Sequence, residues 1–181
     1  GRYLGEFQGE DRILVVNRNG TYYTTDYDLS NHYEEGFSVI EKYEPEKVWS
    51  AVFFDAEQQF YYLKRFRFEN VVRHTLFIGE TEGSYLVALS GEKRPRFEVV
   101  FGGRYESRPA EVIVADEFIA EKSYKARGKR VTTYEVKQIN EIEPLDSGEE
   151  ESEDTTSTDI DFEITNPDML SDEAQMKLDF E

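Results

Sequence analysis

The sequence contains no cysteine and only two histidines, His32 and His74. Without cysteine the chain cannot form disulfides or thiolate zinc sites, and it has no cysteine nucleophile. Neither histidine has a carboxylate cluster nearby at ligand spacing, so we expect packing or surface roles for both and no metal site. Carboxylate pairs are frequent, but none is tied to a glycine loop, a histidine or a serine elbow. We therefore expect no catalytic residue in this chain.

Long apolar runs are absent as well. No stretch approaches the roughly 18 consecutive apolar residues of a membrane helix, and the N-terminus lacks the basic-then-apolar pattern of a signal peptide. We expect a soluble, unexported, cytoplasmic protein with no membrane partner. The chain is nevertheless 38% hydrophobic and 14% aromatic over 181 residues, which is enough for the core of about one domain.

The charge is distributed unevenly along the chain. Of the 39 acidic and 21 basic side chains, residues 1–145 carry 25 and 20, a net charge of −5, whereas residues 146–181 carry 14 and 1, a net charge of −13. An acidic, Ser/Thr-rich stretch cannot bury enough apolar surface to become ordered. The sequence predicts a folded body at 1–145, an acidic disordered linker at 146–165 and a C-terminal segment at 166–181. Within the body, residues 63–137 have a net charge of +4.

Short strands and turns account for most of the body. Asn19-Gly20 lies between two β-rich runs, a strong hairpin signal in which both turn residues are expected at positive φ. The four hairpins that we predict pair residues 13–16 with 21–25, 49–54 with 60–68, 85–89 with 97–101, and 118–124 with 131–136. Their turns lie about 36 residues apart, and a fixed period of this size is typical of propellers, solenoids or arrays. The fold class that we predict is all-β, built of antiparallel hairpins.

Two stretches, residues 10–25 and 118–133, resemble the blade repeat in the C-terminal domain of bacterial type IIA topoisomerase A subunits. The repeat there has an acidic residue, an apolar strand, a glycine turn and a Lys-Arg-Thr-like strand. Residues 128–132, Gly-Lys-Arg-Val-Thr, match closely, whereas the first stretch has Thr-Tyr-Tyr where the basic pair usually stands. Because the sequence has no Gln-Arg-Arg-Gly-Gly-Arg-Gly-type box, it resembles the topoisomerase IV A subunit of the Bacteroides-like branch rather than gyrase.

The resemblance implies a partial or small β-pinwheel, a propeller-like blade-repeat domain, whose rim binds and bends duplex DNA for ATP-dependent strand passage. It implies that the chain is non-catalytic, because in this family DNA cleavage lies elsewhere in the A subunit and ATP hydrolysis in the B subunit. ATP and Mg²⁺ would serve the whole enzyme, with no cofactor in this chain. The expected partners are duplex DNA, the B subunit and the rest of the A subunit, at the nucleoid. Because the chain starts at Gly1 without Met, we expect an excised fragment.

Two groups of basic residues are candidates for phosphate contact, the dominant source of sequence-independent DNA affinity. The first group is Lys64, Arg65, Arg67 and Arg73; the second is Lys122, Lys125, Arg127, Lys129 and Arg130. The resemblance favours phosphate contact for residues 125–130, where four cations surround a turn glycine. The alternative is that Lys and Arg serve solubility and edge protection on exposed strands, and for Lys64, Arg65 and Arg67 both interpretations stay open.

The acidic tail suggests two further roles. It can compete with phosphate for the basic half of the body and so inhibit DNA binding, or it can simply improve solubility. Near its end, Ser171 is a candidate N-cap for a short helix. Gln175, Met176, Leu178 and Phe180 resemble the Gln-x-x-Leu-x-Phe peptides that dock on the bacterial sliding clamp. An alternative function is therefore an acidic β-repeat module that recruits a protein partner such as the clamp.

Overall fold

The computed structural model describes residues 3–27 and 36–145. In this part of the chain the regular structure is almost entirely β-strand, which confirms the predicted fold class. The strands are β1 (Ile13–Asn17), β2 (Thr21–Thr25), β3 (Phe37–Lys42), β4 (Trp49–Asp55), β5 (Phe60–Phe66), β6 (Thr75–Leu76), β7 (Tyr85–Ser90), β8 (Arg96–Phe101), β9 (Glu111–Val114), β10 (Lys129–Arg130) and β11 (Val136–Ile142). A 3-10 helix spans Gly103–Tyr105, and a one-turn helix, α1, spans Ala115–Phe118.

The chain divides into two units, residues 1–144 and 145–181, and all of these strands belong to the first. The predicted linker at 146–165 and the predicted docking segment or helix at 166–181 lie outside the described residues. They stay predictions.

The strands form three antiparallel sheets with the same internal order. Sheet 1 has the order β3-β1-β2-β6, sheet 2 the order β7-β4-β5-β10, and sheet 3 the order β11-β8-β9. Each sheet has two sequential strands as a central hairpin, and the first strand of that hairpin also pairs with a later strand of the chain. The described residues therefore contain the same topology three times, as a blade-like repeat.

Two short strands connect sheets 1 and 2 to the repeat that follows each of them. The strand β6 follows the hairpin of sheet 2 in sequence but pairs with β2 of sheet 1, and β10 follows the hairpin of sheet 3 but pairs with β5 of sheet 2. We call the segments that lead into them the first crossover (residues 67–76) and the second crossover (residues 119–130). Sheet 3 has no fourth strand within the described ranges.

The core lies between the sheets, with sheet 2 in the middle. Alternate residues of β4 face opposite sides, because successive side chains of a strand point to opposite faces. Ala51 and Phe53 pack with Leu14 and Val16 of sheet 1, and the next cluster joins sheets 2 and 3 through Val52, Leu63, Phe97, Val99 and Phe101. This placement on both faces explains the nearly continuous apolar run of β4.

The first predicted hairpin is confirmed, but its turn differs from the expected one. The N–H of Gly20 donates to the carbonyl of Asn17 at 3.1 Å, and Gly20 has φ +88°. Among the described residues other than glycine only Gln59 has a positive φ, so the expectation of positive φ at Asn19 was wrong. The side chain of Asn19 instead accepts a hydrogen bond from the N–H of Thr21 at 3.0 Å, which stabilises a longer turn with glycine at its end.

The second predicted hairpin is also confirmed as β4 and β5, whereas the third and fourth were wrong. Residues 85–89 and 97–101 do form strands, but β7 pairs with β4, and β8 pairs with β9 and β11. Residues 118–124 form the end of α1 and the start of the second crossover, because Phe118 and Ile119 pack on the core from this turn instead of from a strand. The hairpins begin at residues 13, 49 and 96, so the spacing is not constant.

Candidate nucleic-acid interface

The second crossover concentrates unpaired positive charge. Its twelve residues carry five cations and one carboxylate, Glu121. All five cations are exposed, namely Lys122, Lys125, Arg127, Lys129 and Arg130. None of them forms an ion pair with a described residue, and Glu121 pairs with Arg67 instead, at 3.0 Å. Lys42, Lys47, Arg94 and Arg108, by contrast, each pair with a carboxylate.

The end of this crossover is fixed to sheet 2 by backbone pairing and by aromatic rings. Lys129 and Arg130 pair with Leu63 and Tyr62 across the β10–β5 ladder. The guanidinium of Arg130 lies 3.9 Å from the ring centroid of Phe60. The ammonium of Lys129 lies 4.3 Å from the ring centroid of Phe118. Such cation–π contacts hold the side chains in place and leave their charge available.

A tight approach of two backbones precedes β10. Gly128 has φ +96°, and a Cβ atom there would lie 2.7 Å from the carbonyl oxygen of Leu63. Only glycine fits at this point, because both the space and the left-handed backbone exclude a side chain. The sequence thereby places Arg127 and Lys129 on either side of the contact.

A buried tyrosine anchors the middle of the crossover. Tyr124 packs edge-on against Tyr22 of sheet 1, with ring centroids 5.7 Å apart. The N–H of Ala126 donates to the carbonyl of Ser123 at 2.9 Å, and the N–H of Lys125 donates to the hydroxyl of Ser123 at 3.1 Å. The turn therefore buries Tyr124 and presents the next residue, Lys125, to solvent.

Lys64, the first residue of the other predicted group, is not at the surface. Its side chain is 3% exposed, and its ammonium donates to the carbonyls of Phe77, Tyr124 (2.5 Å) and Ala126 (3.0 Å). Burial lowers the pKa of Lys64 to about 8. All three ammonium protons are engaged inside the protein.

Arg65 and Arg67 lie at the base of the second crossover. Arg65 is half-buried and donates from Nη1 to the carbonyl of Ile119 at 3.2 Å. Its buried Nε has no partner in the part of the chain that the structure describes. Arg67 is 44% exposed and contacts both Glu46 (2.8 Å) and Glu121 (3.0 Å). The structure thus separates Lys64, Arg65 and Arg67 from the unpaired cations of the second group.

The repeat register shows that Arg73 is equivalent to Arg127. Thr75 pairs with Tyr22 in sheet 1 as Lys129 pairs with Leu63 in sheet 2, so Arg73 and Arg127 each lie two residues before these positions. Arg73 is exposed and has no ion-pair partner among residues 3–27 and 36–145. From the sequence Arg73 was grouped with Lys64, Arg65 and Arg67, because its equivalence to Arg127 depends on strand pairing across two sheets.

Other predicted sites can be placed only in part. His74 stacks on Tyr23, with ring centroids 4.4 Å apart, and His32 lies outside the described ranges. Gln175, Met176, Leu178 and Phe180 also lie outside them. Within the described residues, no three His, Cys, Asp or Glu side chains gather as metal ligands. The same residues include no helix with the length and apolar character needed to cross a membrane.

These features define an all-β, blade-repeat domain with an exposed basic crossover. Residues 1–143 match the family described as topoisomerase C-terminal domain, Bacteroidota. The match covers most of the chain, so the chain belongs to this family, and the predicted resemblance to a bacterial topoisomerase C-terminal domain is confirmed. A search among curated proteins found no match.

Proposed function

We propose that this chain is the non-catalytic, DNA-binding and DNA-bending part of a topoisomerase IV-like A subunit. Family membership supports the topoisomerase assignment. The observation that carries the DNA-binding proposal is the second crossover, where five exposed cations lack a carboxylate partner among the described residues. Cations of this kind release counterions from duplex DNA and supply affinity that does not depend on base sequence.

The proposed contacts are the five cations of the second crossover, Lys122, Lys125, Arg127, Lys129 and Arg130. Arg73 in the first crossover joins them through its equivalence to Arg127. Lys64 is left out, because its ammonium already donates to three carbonyls. Arg65 and Arg67 support the base of the crossover, and Arg67 has two carboxylates that a phosphate would need to displace.

The proposal includes the partners and the acidic tail. Duplex DNA is bound at the nucleoid in the cytoplasm, while the B subunit and the rest of the A subunit supply ATP hydrolysis and DNA cleavage with Mg²⁺. The net charge of −13 in residues 146–181 competes with phosphate for the basic crossover. Such competition is electrostatic and weakens as salt screens it.

The test is binding of a fluorescently labelled duplex, measured by anisotropy between about 50 and 200 mM salt. Affinity should fall steeply with salt, and Arg127→Ala should reduce the slope of log K against log salt by about 0.9, the loss of one phosphate contact. Arg73→Ala should have the same effect. Arg94→Ala is the matched control, because Arg94 already pairs with Asp116 and Glu117.

Two outcomes would contradict the proposal. Absence of salt-sensitive DNA binding would favour the alternative of a protein-interaction module. A slope that Arg127→Ala changes no more than Arg94→Ala does would show that the second crossover is not the interface.

A further inference from the structure

A single buried cation joins the two crossovers to sheet 2. Lys64 lies on β5, and its ammonium pairs with no carboxylate within the described ranges. Its three acceptors are backbone carbonyls from segments distant in sequence. Phe77 directly follows β6 of the first crossover, whereas Tyr124 and Ala126 belong to the second.

The two carbonyls in the second crossover flank a proposed DNA contact. Tyr124 precedes Lys125 in the chain, and Ala126 follows it, with Arg127 next. Across the described residues, the hydrogen bonds that join residues 123–128 to sheet 2 are those of Lys64. Beside the packing of the Tyr124 ring, one ammonium group therefore supplies the hydrogen bonds that hold the backbone on both sides of Lys125 to sheet 2.

The surroundings of Lys64 show that it cannot reach a phosphate from this position. Its ammonium lies over the rings of Phe53, Phe66 and Phe77, at 5.2 to 5.8 Å from their centroids. A cavity of about 430 Å³ adjoins it, and the charged side chains around that cavity are Asp55, Glu57, Glu80, Lys125 and Arg127. Lys125 and Arg127 thus line the same cavity as Lys64.

We propose that Lys64 is a positioning residue for the DNA interface, whose ammonium fixes the turn at residues 123–128 and so presents Lys125 and Arg127 to phosphate. The statement about DNA rests on the proposed function, whereas the positioning of the turn by Lys64 rests on the hydrogen bonds alone. Removing the ammonium takes this donor from three carbonyls, of which those of Phe77 and Tyr124 are buried. The turn then gains by moving the carbonyls of Tyr124 and Ala126 toward water, and its two cations lose their fixed position.

The first measurement is hydrogen exchange of the full chain with Lys64→Met, a side chain of similar length without charge. Exchange at the hydrogen-bonded amides of this turn, those of Lys125 and Ala126, should accelerate at least tenfold, while the β4–β5 pairing keeps its protection. If Lys64→Met fails to fold by circular dichroism, Lys64→Gln replaces it, because its amide keeps two donors. Unchanged exchange at residues 123–128 in a folded variant would overturn the positioning role, whether or not the protein binds DNA.

The second measurement is a double-mutant cycle on duplex DNA affinity at about 50 mM salt. Lys64→Met should weaken binding about tenfold in the wild-type background and have no effect when Lys125→Ala and Arg127→Ala are already present. Equal losses in both backgrounds would overturn the proposal, because Lys64 would then act independently of these two residues. Wild-type protein that binds no DNA would refute the proposed function, and the exchange measurement would still decide the positioning role.

Discussion

At the scale of single residues, Lys64 makes stability depend on pH in a definite direction. Burial lowers its pKa from 10.5 to about 8, so the folded state releases the proton more readily than the unfolded state does. Between pH 8 and 10.5 the unfolded state binds more protons, and the free energy of unfolding therefore rises with pH. Below pH 8 both states are protonated and this contribution is flat. The full rise is about 3 kcal/mol, at roughly 1.4 kcal/mol per pKa unit.

Urea unfolding of the wild type and Lys64→Met from pH 7 to 10 measures this effect. The difference in free energy of unfolding, wild type minus variant, should be constant up to about pH 8 and then increase. The charged groups around the neighbouring cavity, Asp55, Glu57 and Glu80, are the same in both proteins, so their contribution cancels in the difference. A difference that stays constant through pH 10 would mean that the pKa of Lys64 is not lowered in the folded state.

The position of Lys64 shows how much of the site the sequence could reveal. Lys64 is in phase with Tyr62, Phe66 and Phe68, and the period of two in a strand places all four on the core face. This alternation was visible in the sequence. Lysine is almost never buried without partners, however, so Lys64 was predicted to lie at the surface with Arg65 and Arg67. Its partners are carbonyls of residues 77, 124 and 126, and pairing over such separations cannot be inferred from local patterns.

At the scale of elements, the second crossover depends on Gly128. Gly128→Ala forces a non-glycine residue to φ +96° and places Cβ at 2.7 Å from the carbonyl oxygen of Leu63. Strain of about 1 kcal/mol and weakened β10 hydrogen bonds of about 1 kcal/mol each should lower the free energy of unfolding by about 2 to 3 kcal/mol. Thermal and urea unfolding measure the loss.

Gly5→Ala is the matched control for this change. Gly5 has φ +108° but no atom within 4 Å of an added Cβ, so only the backbone strain of about 1 kcal/mol applies. Equal destabilisation by the two substitutions would show that the close approach at Gly128 does not hold the crossover. Gly128→Ala should also weaken DNA binding, since Arg127 and Lys129 flank the glycine.

Element type was easier to predict than element partners. Alternating apolar residues and turn signals identified the β1–β2 and β4–β5 hairpins, whose strands pair locally. The same signals located β7 and β8 but paired them with each other. In the structure β7 pairs with β4, so that Val52 lies opposite both Ala88 of β7 and Leu63 of β5. The strands of the two crossovers, β6 and β10, contain two residues each, which is too few to show any periodicity.

At the scale of the whole molecule, the charge separation connects the body to its proposed function. Residues 1–145 have a net charge of −5, yet the second crossover alone has +4. A local cluster of one sign can attract DNA phosphates although the net charge is negative, because charges beyond about 10 Å are largely screened at 0.1 M salt. The chain therefore needs no overall positive charge to bind duplex DNA through this crossover.

The acidic tail should act on this cluster in a salt-dependent way. We expect residues 1–145 to bind duplex DNA more tightly than residues 1–181 at about 50 mM salt, with the difference shrinking toward 200 mM as the Debye length shortens. Anisotropy of a labelled duplex measures both affinities.

The matched control keeps the tail length but replaces Glu149, Glu150, Glu151 and Glu153 with Gln, which changes the net charge of the tail from −13 to −9. This variant should lie between the other two proteins if charge causes the competition. Equal affinities of the truncated and full chains at 50 mM salt would leave the tail no role in DNA binding.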